Sequence, residues 1–405
     1  MVAPSKIFYP PLNRLHCSQV FLHPGESCLG FQLRNNFIKS SSIYFLPILI
    51  APIFLKRNKL TKKAFLDIVK NYKLAVITSV GIIKASMAFE CILRNVLGKY
   101  TKYTTFFLPL FLGTQLLWLC PDQMVKFYAI GMSQAALETF LNIKTNPLNN
   151  LLKNNFTRIL LFMINSAIIL HLKQNGTDKE FWFIKPEKED ATYKSDKEFL
   201  STLLKDMKKY LITGITLDLL RIILKNLKIF KSNTSLIDKI KMLKFNMTGY
   251  FLSYFGLYKV INYLLQKYTN PSQLNKNKAH ILAAFIGGIS FICIKKNIIL
   301  VLSMITVIRL AYHKLCSLDV KTEENYGKWL KYAKRIPFGK LVTPICNAYA
   351  IHMYMVNNEA TSSFTKSYLN ITMEYLPQKI YNYILRNSSK ALLEMGSTTP
   401  IRIIK

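Results

Sequence analysis

The chain has 405 residues, 51% of them hydrophobic and only 19% charged, and 55 Lys and Arg against 21 Asp and Glu give a formal net charge of +34. Its apolar residues fall in blocks rather than in the alternation of a soluble α/β domain, and the blocks lack the charged stripe that a soluble helix shows on every turn. The basic excess accompanies neither a soluble fold nor an aromatic stacking platform, which argues against nucleic acid as a partner.

Residues 1–39 form an N-terminal segment with Pro4, Pro10 and Pro11 and no apolar core, unlike a secretory signal, and no Arg- and Ser-rich amphipathic presequence is present. Within this segment His16, Cys17, His23 and Cys28 place two thiols and two imidazoles close together. Such a set is able to hold zinc, the thiols are able to pair oxidatively, or the cluster simply caps the first helix; its spacing matches no standard zinc pattern. The other cysteines are scattered, and Cys91, Cys120, Cys293 and Cys346 lie in or beside apolar blocks as small hydrophobes.

The apolar blocks then come in two groups. Residues 40–172 hold Ile43 to Leu55, Leu74 to Leu93, Phe106 to Leu119, Phe127 to Leu141 and Ile159 to Leu172. A polar linker, 173–197, separates them from 198–357, which hold Met247 to Leu265, Ile281 to Ile294, Ile298 to Ala311 and Leu341 to Val356. A tail, 358–405, ends without a Ser-Lys-Leu signal. Several blocks are shorter than the roughly 20 residues that a ~30 Å hydrocarbon core asks for, so tilted, distorted or buried helices are expected among them.

Basic residues rim the blocks. Lys56, Arg57, Lys59, Lys62 and Lys63 follow the first, Arg94, Lys99 and Lys102 the second, and a run from Lys225 to Lys244 precedes the sixth. Both membrane faces then carry positive charge, so orientation stays open, and the rims read as contacts to anionic lipid worth ~1 kcal/mol per residue.

Inside the blocks stand four ionisable residues, Lys84, Glu90, Glu138 and Arg309. Charge in hydrocarbon is costly, so each is expected to face the bundle interior, a partner charge or water, as a local ion pair or as part of a substrate or proton path. Asp218 and Arg221, three apart, are spaced to pair on one helix. Small residues mark close helix contacts at Gly81 and Ala85, at Gly131 and Ala135, and at Ala284, Gly287 and Gly288.

Two stretches repeat. Leu97-Gly98-Lys99-Tyr100-Thr101 followed by Phe111-Leu112-Gly113 returns as Leu265-Gln266-Lys267-Tyr268-Thr269 followed by Phe285-Ile286-Gly287. The fold class this predicts is an all-α polytopic membrane bundle of two internal repeats, with five helices in each if the mixed segment Phe199 to Phe230 is the counterpart of Ile43 to Leu55. No phosphate-cradling glycine loop, nucleophile elbow or paired-histidine spacing is present, so no enzyme and no cofactor are expected.

Taken in order, the Cys17, His23-Pro24, Cys28 cluster, Leu55 to Leu60, Met87-Ala88-Phe89-Glu90-Cys91-Ile92-Leu93-Arg94-Asn95-Val96-Leu97-Gly98-Lys99, Ala136-Leu137-Glu138-Thr139 and His280-Ile281-Leu282-Ala283-Ala284-Phe285-Ile286-Gly287-Gly288-Ile289-Ser290 resemble the transmembrane protein 135 family. The small-residue helices are more distantly similar to the mitochondrial inner-membrane import channel family. The resemblance implies a multi-pass protein of mitochondrial and peroxisomal membranes that promotes mitochondrial fission through a dynamin-related GTPase and organises peroxisomes. The other expectation is a transporter or translocator of lipid or small solute, with a path lined by the four intramembrane charges.

Overall fold

The computed structural model describes residues 13, 15–20, 23, 25–55, 60–101, 103–174, 182–186, 193, 195–225, 245–268, 276–294, 297–317 and 338–394. Among these residues every element is helical and there is no strand. The basic stretch 56–59, most of the run 225–244 and most of the linker 173–197 lie outside the described residues.

Helices α1 (Cys17–Val20) and α2 (Cys28–Arg34) lead into α3 (Ile38–Leu55) and α4 (Lys62–Leu97). A short α5 (Phe107–Thr114) continues as a 3-10 turn, Gln115–Leu119, before α6 (Asp122–Leu141) and α7 (Pro147–Lys153). Next come α8 (Asn155–Gln174), α9 (Asp196–Lys225), α10 (Asn246–Tyr268), α11 (Lys276–Gly287) with a 3-10 turn, Gly288–Cys293, and α12 (Asn297–Cys316). The described chain closes with α13 (Phe338–Val356), α14 (Ser363–Thr372) and α15 (Leu376–Glu394).

Local chemistry sets these boundaries. Thr61 Oγ1 accepts from the Ala64 N–H at 3.2 Å and starts α4, while Gly98, in the left-handed region at φ 66°, ends it. Its 36 residues span about 54 Å at 1.5 Å per residue, longer than a bilayer core. Together with α8 and α12 it is long and apolar enough to cross a membrane. Shorter apolar stretches are Ile38–Ile50, Phe107–Leu119 and Asn277–Cys293. Two of these owe their shape to a change of helix type, from α to 3-10, just after Gly113 and at Gly287 and Gly288.

The chain forms two compact units, Met1–Asn149 with Ile336–Lys405, and Asn150–Arg335. The bounds of these units differ from those of the expected repeats, 40–172 and 198–357: α8 belongs to the second unit and α13 to the first.

In the first unit α4 packs on α3 and α5, and α13 packs on α5 and α6. The α4–α5 crossing is very close, since a Cβ on Gly113 would stand 2.7 Å from Ser86 N and 2.9 Å from its Cα. Helix α14 is tied to the bundle by Ser40 Oγ donating to Thr372 O (2.9 Å) and by the hydroxyl pair Ser79 and Tyr368 (3.0 Å). Outward-facing Ile77, Ile92, Val96 and Leu119 remain exposed.

In the second unit α10 packs on α9 and α11, and α8 packs on α11 and α12. Its centre is aromatic. Phe162 stacks on Phe291 at 4.9 Å, and Tyr250, Tyr254 and Tyr258 are wholly buried. Ser166 Oγ donates to Ala284 O (2.8 Å) and pairs with Tyr254 OH (2.6 Å), which also accepts from Trp182 Nε1 (3.0 Å). A polar network with each member satisfied fixes one packing in an apolar core.

Candidate functional site

The first unit contains a partly open cavity of about 70 Å³. One wall is a face of α4, Ile82, Ile83, Ser86, Met87 and Glu90, which recur at helical spacing. Helix α13 adds Asn347, Ile351 and Met355, and Tyr368 and Leu369 of α14, Met373 just after it and Ile380 of α15 complete the lining. Most of this lining is apolar, and three polar side chains interrupt it.

Glu90 is 3% exposed, and its Oε2 accepts from the Phe106 N–H at 3.0 Å. Phe106 is the residue before α5, so the carboxylate also sits at the positive end of that helix. Ser86, one turn earlier on α4, is 6% exposed and its Oγ has no hydrogen-bond partner. Asn347 is 3% exposed; its Nδ2 donates to Thr114 Oγ1 at 2.7 Å while its Oδ1 is unpartnered. Buried polar atoms without partners cost free energy, roughly 1–3 kcal/mol each, and facing a cavity they are placed to meet a guest. A carboxylate, a hydroxyl and an amide oxygen in an apolar enclosure accept hydrogen bonds, so the matching guest is mainly apolar and carries a donor.

Of the four charged residues singled out in the sequence, Glu90 alone lines this cavity. Lys84 is half-buried on α4, and Glu138 is buried on α6 with Oε2 unpartnered. Arg309 is half-buried on α12 and belongs to the second unit.

The small residues occupy distinct places. Gly81 faces Leu116 and Gly131 faces Phe364. A Cβ on Gly287 would lie 3.2 Å from that of Tyr258, and one on Gly288 would lie 2.6 Å from Met163 Cα. Ala135 and Ala284 are fully buried and Ala85 is half-buried. Gly113 and Gly214, which stand outside those stripes, make equally close backbone contacts, Gly214 with Thr248 Cα at 2.5 Å.

The N-terminal cluster also resolves. Cys17 and Cys28 sulfurs lie 3.1 Å apart, and Cys91 of α4 joins them. His16 is exposed, with Nδ1 3.8 Å from Cys17 Sγ. His23 turns elsewhere, buried and stacked on Phe31 at 4.6 Å, with Nδ1–H donating to Glu26 O at 3.1 Å. Burial, with Cys28 beside it, pushes the Cys17 thiol up to about 11. Asp218 is engaged across helices instead of along its own: Oδ2 accepts from the Thr248 N–H (2.9 Å) and Oγ1 (2.8 Å), Oδ1 from the Met247 N–H (3.2 Å), and the Arg221 side chain lies outside the described residues.

Compared with known protein families, with characterised proteins and with solved structures, the chain finds no match.

Proposed function

We propose that the protein is a polytopic, non-enzymatic membrane protein built from a duplicated five-helix unit, and that its first unit takes up a small amphipathic molecule and passes it through the membrane. Three membrane-length helices and the exposed apolar side chains on α4 support the membrane reading. The duplication draws support from the order of elements. A long helix, a short helix turning 3-10 at a glycine, and a third helix recur as α4–α5–α6 and α10–α11–α12. Helices α3 and α9 precede these sets; α8 and α13 follow them, α8 packing on α11 and α12, α13 on α5 and α6. Each repeat thus lends its fifth helix to the unit built on the other.

One observation carries the functional reading. In the register of the repeated Lys-Tyr-Thr, at Lys99 and Lys267, Ser86 and Glu90 correspond to Tyr254 and Tyr258. In the second unit those two rings are wholly buried, Tyr254 packed on Phe162 and Trp182 and Tyr258 on His280. In the first, a hydroxyl and a carboxylate stand there and a cavity remains. A duplicated scaffold that plugs one copy with aromatics and keeps the other hollow and polar-lined has specialised the hollow copy for a ligand.

The test is uptake of a fluorescently tagged linear primary amine into vesicles that carry the full-length protein. The native chain accelerates uptake; Ile351→Phe, which fills the cavity, and Glu90→Gln, which removes the carboxyl group, do not. Equal acceleration by all three chains defeats the proposal.

The resemblance supports residence in mitochondrial or peroxisomal membranes beside anionic lipid, and a second reading in which the chain regulates fission through a dynamin-related GTPase. That reading puts the working parts in the linker 173–197 and the basic loops. Deleting 187–192, which spares the buried Trp182 and Ile184, separates the two: it changes organelle length under the second reading and leaves uptake intact under the first.

A further inference from the structure

Three thiols from three helices meet on the first unit. Cys17 opens α1, Cys28 opens α2, and Cys91 lies on α4 one residue beyond Glu90. Their sulfurs all lie within 4.8 Å of one another, with Cys17 fully buried, Cys91 8% exposed and Cys28 half-buried. We propose that Cys17, Cys28 and Cys91 are a three-thiolate site for zinc, with His16 as the fourth donor.

The geometry suits this ion. Tetrahedral zinc with Zn–S bonds of about 2.3 Å sets its sulfurs about 3.8 Å apart and a sulfur and an imidazole nitrogen about 3.6 Å apart. The sulfurs require only small side-chain adjustments to reach those separations, while His16, with Nδ1 3.8 Å from Cys17 Sγ but outside the 4.8 Å group, turns its ring inward to complete the set. This nitrogen meets Ser18 Oγ at 2.8 Å and the Ser18 N–H at 3.3 Å, local contacts that coordination to the metal replaces. The ligand set is soft and nitrogen-containing, with no carboxylate in it, which favours zinc over calcium or magnesium. A disulfide between Cys17 and Cys28 explains two sulfurs and leaves the convergence of Cys91, brought in from 63 positions further along the chain, without a role.

The surroundings are built to hold the N-terminal segment on this end of α4. Arg94, one turn after Cys91, donates from Nε to Leu15 O at 2.8 Å, and the Tyr100 N–H donates to Asn13 O at 2.7 Å. The Arg94 guanidinium also lies over the Tyr100 ring at 5.3 Å. Two short helices of four and seven residues bury little surface of their own, and a metal clasp supplies the attachment that a small core does not.

The experiment uses the full-length chain in detergent, stripped with chelator and titrated with Zn²⁺ alone. One equivalent of zinc binds per chain, and three of the seven thiols become protected from alkylation until chelator is added again. Cys91→Ser loses the zinc and the protection of Cys17 and Cys28, while Cys293→Ser, at an exposed thiol, keeps both. Because Cys91→Ser could fold poorly, Co²⁺ is also titrated into the native chain, where thiolate coordination gives a near-ultraviolet charge-transfer band. Absence of stoichiometric zinc and of that band overturns the proposal, as does recovery of Cys17 and Cys28 in a disulfide-linked peptide from the untreated protein.

Discussion

Phe106 takes a φ of 66°, a region that a bulky side chain seldom occupies, and from there aims its N–H at Glu90 Oε2, 3.0 Å away. A strained residue of this kind costs about 1–3 kcal/mol and persists only where its surroundings hold it. Glu90 is that hold. It starts α5 at the angle that brings Gly113 onto Ser86, so the carboxylate that lines the cavity also shapes it.

Glu90→Ala is therefore expected to leave the Phe106 N–H buried and unmatched, at a cost of roughly 1–3 kcal/mol. Glu90→Gln keeps an acceptor at the same position and loses less. Thermal unfolding of the two variants in the same lipid discs checks the order; equal midpoints would show that the Phe106 contact holds nothing.

Helical glycines are expected to divide by what stands opposite them. Gly113→Ala drives a methyl into the Ser86 backbone, which has no freedom to move aside, and costs about 1–3 kcal/mol. Gly249, inside α10 with nothing within 4 Å of an added Cβ, is the control. Gly249→Ala gains roughly 0.5–1 kcal/mol of helix propensity. Unfolding midpoints that move in the same direction for both would refute the packing argument.

What the sequence revealed and what it hid divide along physical lines. Composition is enough for an all-helical chain with membrane-length segments, because apolar blocks of this length are satisfied only by helices. Gly287 and Gly288 were legible as a contact because they sit together in an apolar helix. Gly113 and Gly214 are single glycines, and a single glycine does not say which helix crosses it. Cys91 reads as a small hydrophobe in an apolar run, and only the fold carries it to Cys17 and Cys28. Lys84, Glu90, Glu138 and Arg309 look alike in sequence, yet only the fold sets Glu90, alone of the four, on the cavity wall. Ser86 gave no signal by itself; only the fold sets its hydroxyl against the cavity.

Asp218 shows the same dependence on tertiary structure. Three residues before Arg221 it has the spacing of an ion pair along one helix, but it is 1% exposed and spends both oxygens on the first turn of α10. The backbone there is held close by Gly214, one turn earlier on α9. A carboxylate at a helix start satisfies N–H groups that have no partner within the helix and complements the positive end of its dipole. Asp218→Ala is expected to cost ~1–2 kcal/mol, and amide exchange at Met247 and Thr248 should quicken by a factor of roughly 5–30, while Asp218→Asn, still an acceptor, should lie between the two chains. If the pair with Arg221 were the main role of Asp218, Arg221→Met would quicken the same two amides as strongly as Asp218→Ala; the hydrogen bonds to Met247 and Thr248 predict that it leaves them protected.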